Sequence, residues 1–316
     1  MNRTLAAVLL LTAATMAQRA HAGVEPDVIY GDDDRLDLYQ VQNRKLLELA
    51  DSTVGLFEAW NVRDDGDKAV FFTRHYGESL NLCKEEPFWE QQAGAFCSGS
   101  LVAPDVIMTA GHCVRTDMDC ASTKFVFGFA ITKKGEPPLT TPFGEVYKCD
   151  HIIGREQMNK GADWALIKLD RPVTNHAVLK LDLSGTLANG DPLFIIGHPA
   201  GLPTKIAGGA KVRDISPPGF FVATLDAYGG NSGSAVFNAK NGLVEGILVR
   251  GDIDYTFKGD CQVSKVRAED AGRGEDVTKI SSVGFPLCEY AAGRKTDSLN
   301  EQLPKFLDDQ AAALSP

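Results

Sequence analysis

From residue 67 to about 290 the chain is a succession of short apolar segments broken by Gly, Pro and Asn. This punctuation narrows the possible folds more than any other feature. Lys124 to Thr132 sets Phe125, Phe127, Phe129 and Ile131 against smaller residues, the two-residue period of a half-buried strand. Leu193-Phe194-Ile195-Ile196 and Phe220-Phe221-Val222-Ala223-Thr224-Leu225 are short apolar runs suited to a barrel interior. Asn241-Gly242, between Ala235-Val236-Phe237 and the run Leu243 to Val249, is a tight hairpin signal. Many short strands at such spacing imply an all-β chain of antiparallel sandwiches or barrels, not a parallel α/β sheet. Helical patterning is confined to the ends: Val41 to Leu49, and a stretch toward Ala313 opened by the capping box Ser298-Leu299-Asn300-Glu301.

Three segments stand out for their chemistry: Thr109-Ala110-Gly111-His112-Cys113, Gly161-Ala162-Asp163-Trp164-Ala165-Leu166 and Gly229-Gly230-Asn231-Ser232-Gly233-Ser234. A serine hydroxyl is a poor nucleophile until an imidazole takes its proton, and the imidazole needs a carboxylate to fix its tautomer. Here the order is His, Asp, Ser; other folds with the same three groups run Ser, acid, His or Asp, His, Ser. His112 is the candidate base, Asp163 its orienting carboxylate and Ser232 the nucleophile. Gly229-Gly230 lets the backbone turn tightly, so the amides of Gly230 and Ser232 can face a developing oxyanion. Ser234 competes with Ser232, but neither fits Gly-x-Ser-x-Gly, so a hydrolase elbow is not supported. His21, His75, His151, His176 and His198 read as structural or solvent-exposed.

The first 22 residues read as a signal peptide. Arg3 supplies the positive start, Leu5 to Ala17 is apolar, and Ala20-His21-Ala22 is a small-x-small cleavage site, giving a mature start at Gly23. The run is too short to span a bilayer, which takes about 20 apolar residues, so no membrane anchor is expected after cleavage. A secreted protein, extracellular or periplasmic, follows. The net charge is −10, with 42 acidic against 32 basic residues and no Lys/Arg-rich run, so nucleic acid is not an expected partner. Seven cysteines in an exported chain suggest disulfides. Cys97 and Cys113 flank a strand-like Ser98-Gly99-Ser100-Leu101-Val102, and a bridge between them would tie the His112 loop to that strand. Spacing admits Cys120 with Cys149 and Cys261 with Cys288. Seven is odd, and Cys83 is the candidate for the thiol left over, although spacing alone leaves the pairing of these five open. No C-x-x-C or H-x-x-x-H spacing appears, so no metal and no organic cofactor is expected.

These motifs resemble those of the chymotrypsin-like (trypsin-fold) serine peptidases over roughly residues 95 to 255. The chain is most similar to the bacterial branch that includes the glutamyl endopeptidases, marked by Gly-Asn-Ser-Gly-Ser where animal trypsins carry Gly-Asp-Ser-Gly-Gly. The resemblance implies two six-stranded antiparallel barrels with the site in the cleft between them, and the roles given above for His112, Asp163 and Ser232. The expected organisation is a signal peptide at 1–22, an N-terminal extension or short pro-segment at 23–66, a first barrel at 67–180 carrying His112 and Asp163, a second at 181–295 carrying Ser232, and a C-terminal helix at 296–316. Two departures matter. Asn231 replaces the Asp that pairs with a newly cut N-terminal ammonium in the animal enzymes, although Val28-Ile29-Tyr30-Gly31 echoes their mature start. Leu248 stands where glutamyl endopeptidases carry a pocket His. Asp226, six residues before Ser232, falls where trypsins bind Arg or Lys; with Leu248, Arg250 and Gly251 it makes up the expected substrate pocket, and Arg250 could neutralise it.

The expected activity is that of a serine endopeptidase acting through an acyl-enzyme on protein or peptide substrates, as a monomer. The alternatives are a catalytically silent binding protein on the same fold, and an esterase or acyltransferase with the same triad.

Overall fold

The computed structural model describes residues 29–297 apart from residue 252. The signal segment and the Ser298 capping box lie outside the described residues.

Thr123–Phe127 forms one strand of a closed six-stranded barrel. Phe125 and Phe127 are fully buried in it, as the alternating pattern requires. The strand stops earlier than the pattern does, because Gly128 takes a positive φ of 75°, which ends the ladder. Phe129 turns instead into a separate cluster, edge-on to Phe57 and Phe71 at 5.0 and 5.6 Å. Around this first barrel the order is Thr123–Phe127, Val146–Gln157, Asp163–Leu169, Val106–Thr109, Cys97–Ala103 and Thr53–Glu58, which returns antiparallel to Thr123–Phe127. Closure leaves no unpaired strand edge. Its interior packs Leu56, Leu101, Ile107, Phe125 and Ile167.

The second barrel runs Pro192–Gly197, Ala235–Asn238, Val244–Arg250, Glu275–Lys279, Phe220–Ala223 and Lys205–Asp214, which closes back on Pro192–Gly197. The hairpin at Asn241-Gly242 joins two of these strands, with Gly242 at φ 76° and its amide on the Asn238 carbonyl. Leu193, Ile195, Phe221, Val236, Leu248 and Val277 fill the interior. Arg35–Asp37 adds to Lys205–Asp214 from outside, and Ile29–Tyr30 runs parallel to Val266–Arg267.

Several expected boundaries move. The first barrel takes in Thr53–Glu58, because Val54, Leu56 and Phe57 are fully buried there; residues 23–66 are therefore not wholly an extension. The helix expected over Val41–Leu49 spans Arg44–Ala50, with the Asn43 side chain accepting from the Lys45 amide as its cap. The helix that follows the second barrel begins at Ser281, well before residue 296, and the structure describes it to Asp297. Its Val283, Leu287 and Ala291, spaced four apart on one face, are buried in a core cluster to which both barrels contribute. Among the described residues no helix is long and apolar enough to cross a membrane.

Three disulfides are present. Cys97–Cys113 and Cys120–Cys149 pair as spacing admits. Cys261 bonds Cys83 rather than Cys288, across 178 residues. Cys288, on the C-terminal helix, is the free thiol, a correction to the candidate chosen from sequence. The reason is three-dimensional: residues 81–83 hydrogen-bond to residues 260 and 262 of the Tyr255–Ser264 hairpin.

Candidate active site

His112 lies just beyond strand Val106–Thr109, in a turn closed by the Cys113 amide on the Ala110 carbonyl. Gly111 is required there. A Cβ at that position would lie 2.1 Å from the Glu156 carbonyl and 2.9 Å from Asp163 Oδ1, closer than non-bonded carbon and oxygen can approach. Arg155 holds the turn by donating to the Gly111 carbonyl at 3.0 Å. Asp163 opens strand Asp163–Leu169 and is almost wholly buried. Its two oxygens divide their work: Oδ1 accepts from the His112 backbone amide at 3.1 Å and Oδ2 lies 2.8 Å from His112 Nδ1. A buried carboxylate on Nδ1 keeps the proton on that nitrogen and leaves Nε2 free to accept one.

Asp163 is fixed from the other barrel. Its amide donates to Thr278 Oγ1 and the same hydroxyl donates to its carbonyl, both at 3.0 Å. Thr278 was not singled out in the sequence, since a Thr inside a strand reads as an ordinary β-former.

Ser232 belongs to the loop between strands Phe220–Ala223 and Ala235–Asn238. Its carbonyl accepts from the Ser98 amide at 2.8 Å, which ties the loop to the first barrel. Gly233, at φ 91°, could carry no side chain, as a Cβ would meet the Ser98 carbonyl at 2.0 Å. The Ser98 hydroxyl donates to the Gly230 carbonyl at 3.0 Å and accepts from the His198 amide at 2.9 Å. The Gly229 carbonyl accepts from the Ala200 amide at 2.7 Å. In a trans peptide the carbonyl and the next N–H point in opposite directions, so this bond aims the Gly230 N–H away from Ala200. Among the described residues the amides of Gly230 and Ser232 have no hydrogen-bond partner. Both residues line, with His112, Phe96 and the Cys97–Cys113 bridge, a cleft of about 380 Å³. His112 and Ser232 face this cleft without a hydrogen bond between them. Ser234 faces elsewhere: it is fully buried and its hydroxyl donates to Asn231 Oδ1 at 3.2 Å.

The expected substrate pocket is changed in one essential. Leu248, Arg250 and Gly251 line a second cavity, of about 170 Å³, which shares Ser232 with the cleft. Asp226 does not. Its carboxylate turns toward the N-terminal segment, accepting from the Tyr30 and Asp34 amides at 2.9 Å each, and burial pushes its pKa up to about 7. Arg250 does not reach it, being paired with Asp276 Oδ2 at 3.0 Å. Asp254 and Glu275, which carried no signal in the sequence, line the cavity instead. Asp254 accepts from the Gly229 amide at 2.8 Å, and burial raises its pKa to about 6. The ligand atoms of Cys97, Cys113 and His112 lie within 4.8 Å of one another. Both sulfurs are consumed in the disulfide, so they offer no thiolate to a metal.

Residues 97–247 match the family model of the trypsin-like peptidase domain. Over 136 residues the chain is 28% identical to chymotrypsin-like elastase family member 3A of Homo sapiens, covering 42% of this chain and 48% of the relative. To the family member 3B of Macaca mulatta it is 27% identical over 137 residues, covering 42% and 51%. The chain thus spans about half the length of the curated relatives it matches. A solved structure of Glu endopeptidase in complex with MPD superposes with a TM-score of 0.48 at 18% identity, covering 84% of this chain and 99% of that one. By its matched domain and its elastase relatives the chain is similar, over about half of its length, to the trypsin-like serine peptidases, and its pair of closed barrels agrees with that likeness.

Proposed function

We propose that the protein is an exported serine endopeptidase in which His112, Asp163 and Ser232 act as one catalytic unit. The observation that carries this reading is the 2.8 Å contact of His112 Nδ1 with buried Asp163, at the wall of the cleft that Ser232 also lines. Ser232 Oγ attacks the carbonyl carbon of the scissile bond while its proton passes to His112 Nε2. The carbonyl oxygen takes up the negative charge and receives the Gly230 and Ser232 amides. Collapse of this intermediate breaks the C–N bond, and His112 returns the proton to the leaving amine. Water, deprotonated by the same imidazole, then releases the acyl group from Ser232. Each amide donor is worth about 3 kcal/mol of transition-state stabilisation. Three disulfides agree with maturation in an oxidising compartment.

Ser232→Ala should abolish both peptide hydrolysis and labelling by a fluorophosphonate. Ser234→Ala removes one buried hydrogen bond, worth about 1 kcal/mol of stability, and should keep most of the activity. Hydrolysis surviving in Ser232→Ala would overturn the assignment.

A further inference from the structure

The turn that carries the Gly230 amide is held from behind by a segment distant in the chain. The Asn231 amide closes this turn on the Tyr228 carbonyl at 2.9 Å, with Gly230 between them at φ 98°. The direction of the Gly230 N–H therefore depends on where Tyr228 is held. Tyr228 is buried. Its hydroxyl donates to Ser264 Oγ at 2.6 Å, Tyr255 stacks on its ring with centres 5.2 Å apart, and the Arg35 guanidinium carbon lies over the ring, 4.2 Å from its centre.

Packing alone does not call for a cation there. The Arg35 side chain is 1% exposed, and a guanidinium so buried loses hydration that its partners must replace. Nε and Nη2 bond the two oxygens of Asp33 at 2.8 and 2.7 Å, whereas buried Nη1 has no hydrogen-bond partner. Aromatic rings supply the rest of its surroundings, Phe88 lying 5.2 Å away by its centre. The backbone around Arg35 is fixed to the second barrel, since Leu36 and Asp37 pair with Ile206 and Lys205. Just upstream, the Tyr30 and Asp34 amides donate to Asp226, two residues before Tyr228. Residues 30–35 thus grip residues 226–228 through a carboxylate and through a ring. Arg35 lies outside residues 97–247, the stretch matched by the trypsin-like peptidase domain.

We infer that Arg35 is a positioning residue for the oxyanion-binding turn, acting through the Tyr228 ring. A cation is drawn to the face of a ring, and where both are desolvated the contact is worth about 30-fold in an equilibrium. It fixes Tyr228, and the Tyr228 carbonyl fixes the turn whose Gly230 amide meets the oxyanion. That charge exists only after Ser232 has attacked, so loss of the clamp falls on kcat far more than on KM. The inference rests on the function proposed above.

Arg35→Met, Tyr228→Leu and the double variant are compared by kcat and KM on one peptide. Arg35→Met should lower kcat about 30-fold with KM within about threefold of the wild type. The double variant should stay within about threefold of Tyr228→Leu, because Arg35 has then lost the ring through which it acts. Hydrogen exchange of the Gly229 and Asn231 amides, followed by NMR, reads the turn without any chemistry. Both should exchange at least about tenfold faster in Arg35→Met, while the amides of strand Asp163–Leu169 keep their rates. Should Arg35→Met fail to fold, Arg35→Lys replaces it in the comparison; it keeps the charge and loses the fork on Asp33, for an expected loss of about tenfold in kcat. A kcat within about threefold of the wild type, a rise in KM alone, losses that multiply in the double variant, or turn amides whose exchange is unmoved overturn the inference while the peptidase stands. Faster exchange confined to the turn, in a protein whose wild type neither hydrolyses peptides nor takes a fluorophosphonate label, overturns the peptidase reading and leaves the clamp standing.

Discussion

His198 has no solvent contact, and its imidazole Nδ1 lies 3.0 Å from the Leu202 carbonyl. The ring braces the turn whose Ala200 amide holds the Gly229 carbonyl. Burial lowers its pKa from about 6.5 to about 4. The folded protein thus binds this proton less readily than the unfolded chain does. The contribution to stability is complete above about pH 6.5 and is lost as the pH falls toward 4, a swing of about 3 kcal/mol. Nitrogen NMR at pH 5 should find a neutral ring carrying its proton on Nδ1; a charged imidazolium there would contradict this. The same scale shows what sequence can carry. The residues around His112, Asp163 and Ser232 are local and were legible as three short segments; His112 and Ser232 line one cleft, and Asp163 is hydrogen-bonded to His112. The direction of the Asp226 side chain was not legible, because it is decided by the amides of Tyr30 and Asp34, 192 or more residues away.

Among elements, the join between the barrels is the informative feature. Thr278, in the last strand of the second barrel, makes both of its hydroxyl bonds to the backbone of Asp163 in the first. Thr278→Val keeps the shape and removes both, leaving a buried amide without a partner at a cost of about 1–3 kcal/mol. We expect the urea midpoint to fall accordingly and kcat/KM to fall about tenfold, the change that loss of about 1.4 kcal/mol of positioning would produce. Unchanged midpoint and activity would remove Thr278 from the positioning machinery. Strand type and the Asn241-Gly242 hairpin were readable from local pattern. Membership of Thr53–Glu58 in the first barrel was not, since six residues with Gly55 among them give too short a period to count. The Cys83–Cys261 pairing was likewise hidden, because it depends on where a distant hairpin packs.

For the whole molecule, the question is whether a cut near the N-terminus is needed for activity. Asn231 is buried and neutral, and it accepts a hydrogen bond from Ser234; it offers no carboxylate to an ammonium. The segment after residue 28 is already built in, with Ile29 and Tyr30 buried and paired to Val266 and Arg267. A protein starting at Gly23 should therefore hydrolyse peptides within about tenfold of one starting at Val28. A gain of a hundredfold for the shorter chain, about 2.7 kcal/mol in the barrier, would show that cutting completes the site.

The Cys83–Cys261 bridge also sets a timetable for biosynthesis. A chain emerging from its N-terminus presents both halves of Cys97–Cys113 and Cys120–Cys149 early, 16 and 29 residues apart. The thiol of Cys83 must wait for 178 further residues, nearly the whole of both barrels. During that wait Cys97, Cys113, Cys120 and Cys149 are all within its reach, so the local bridges must close first if the nascent chain is to avoid mispairing.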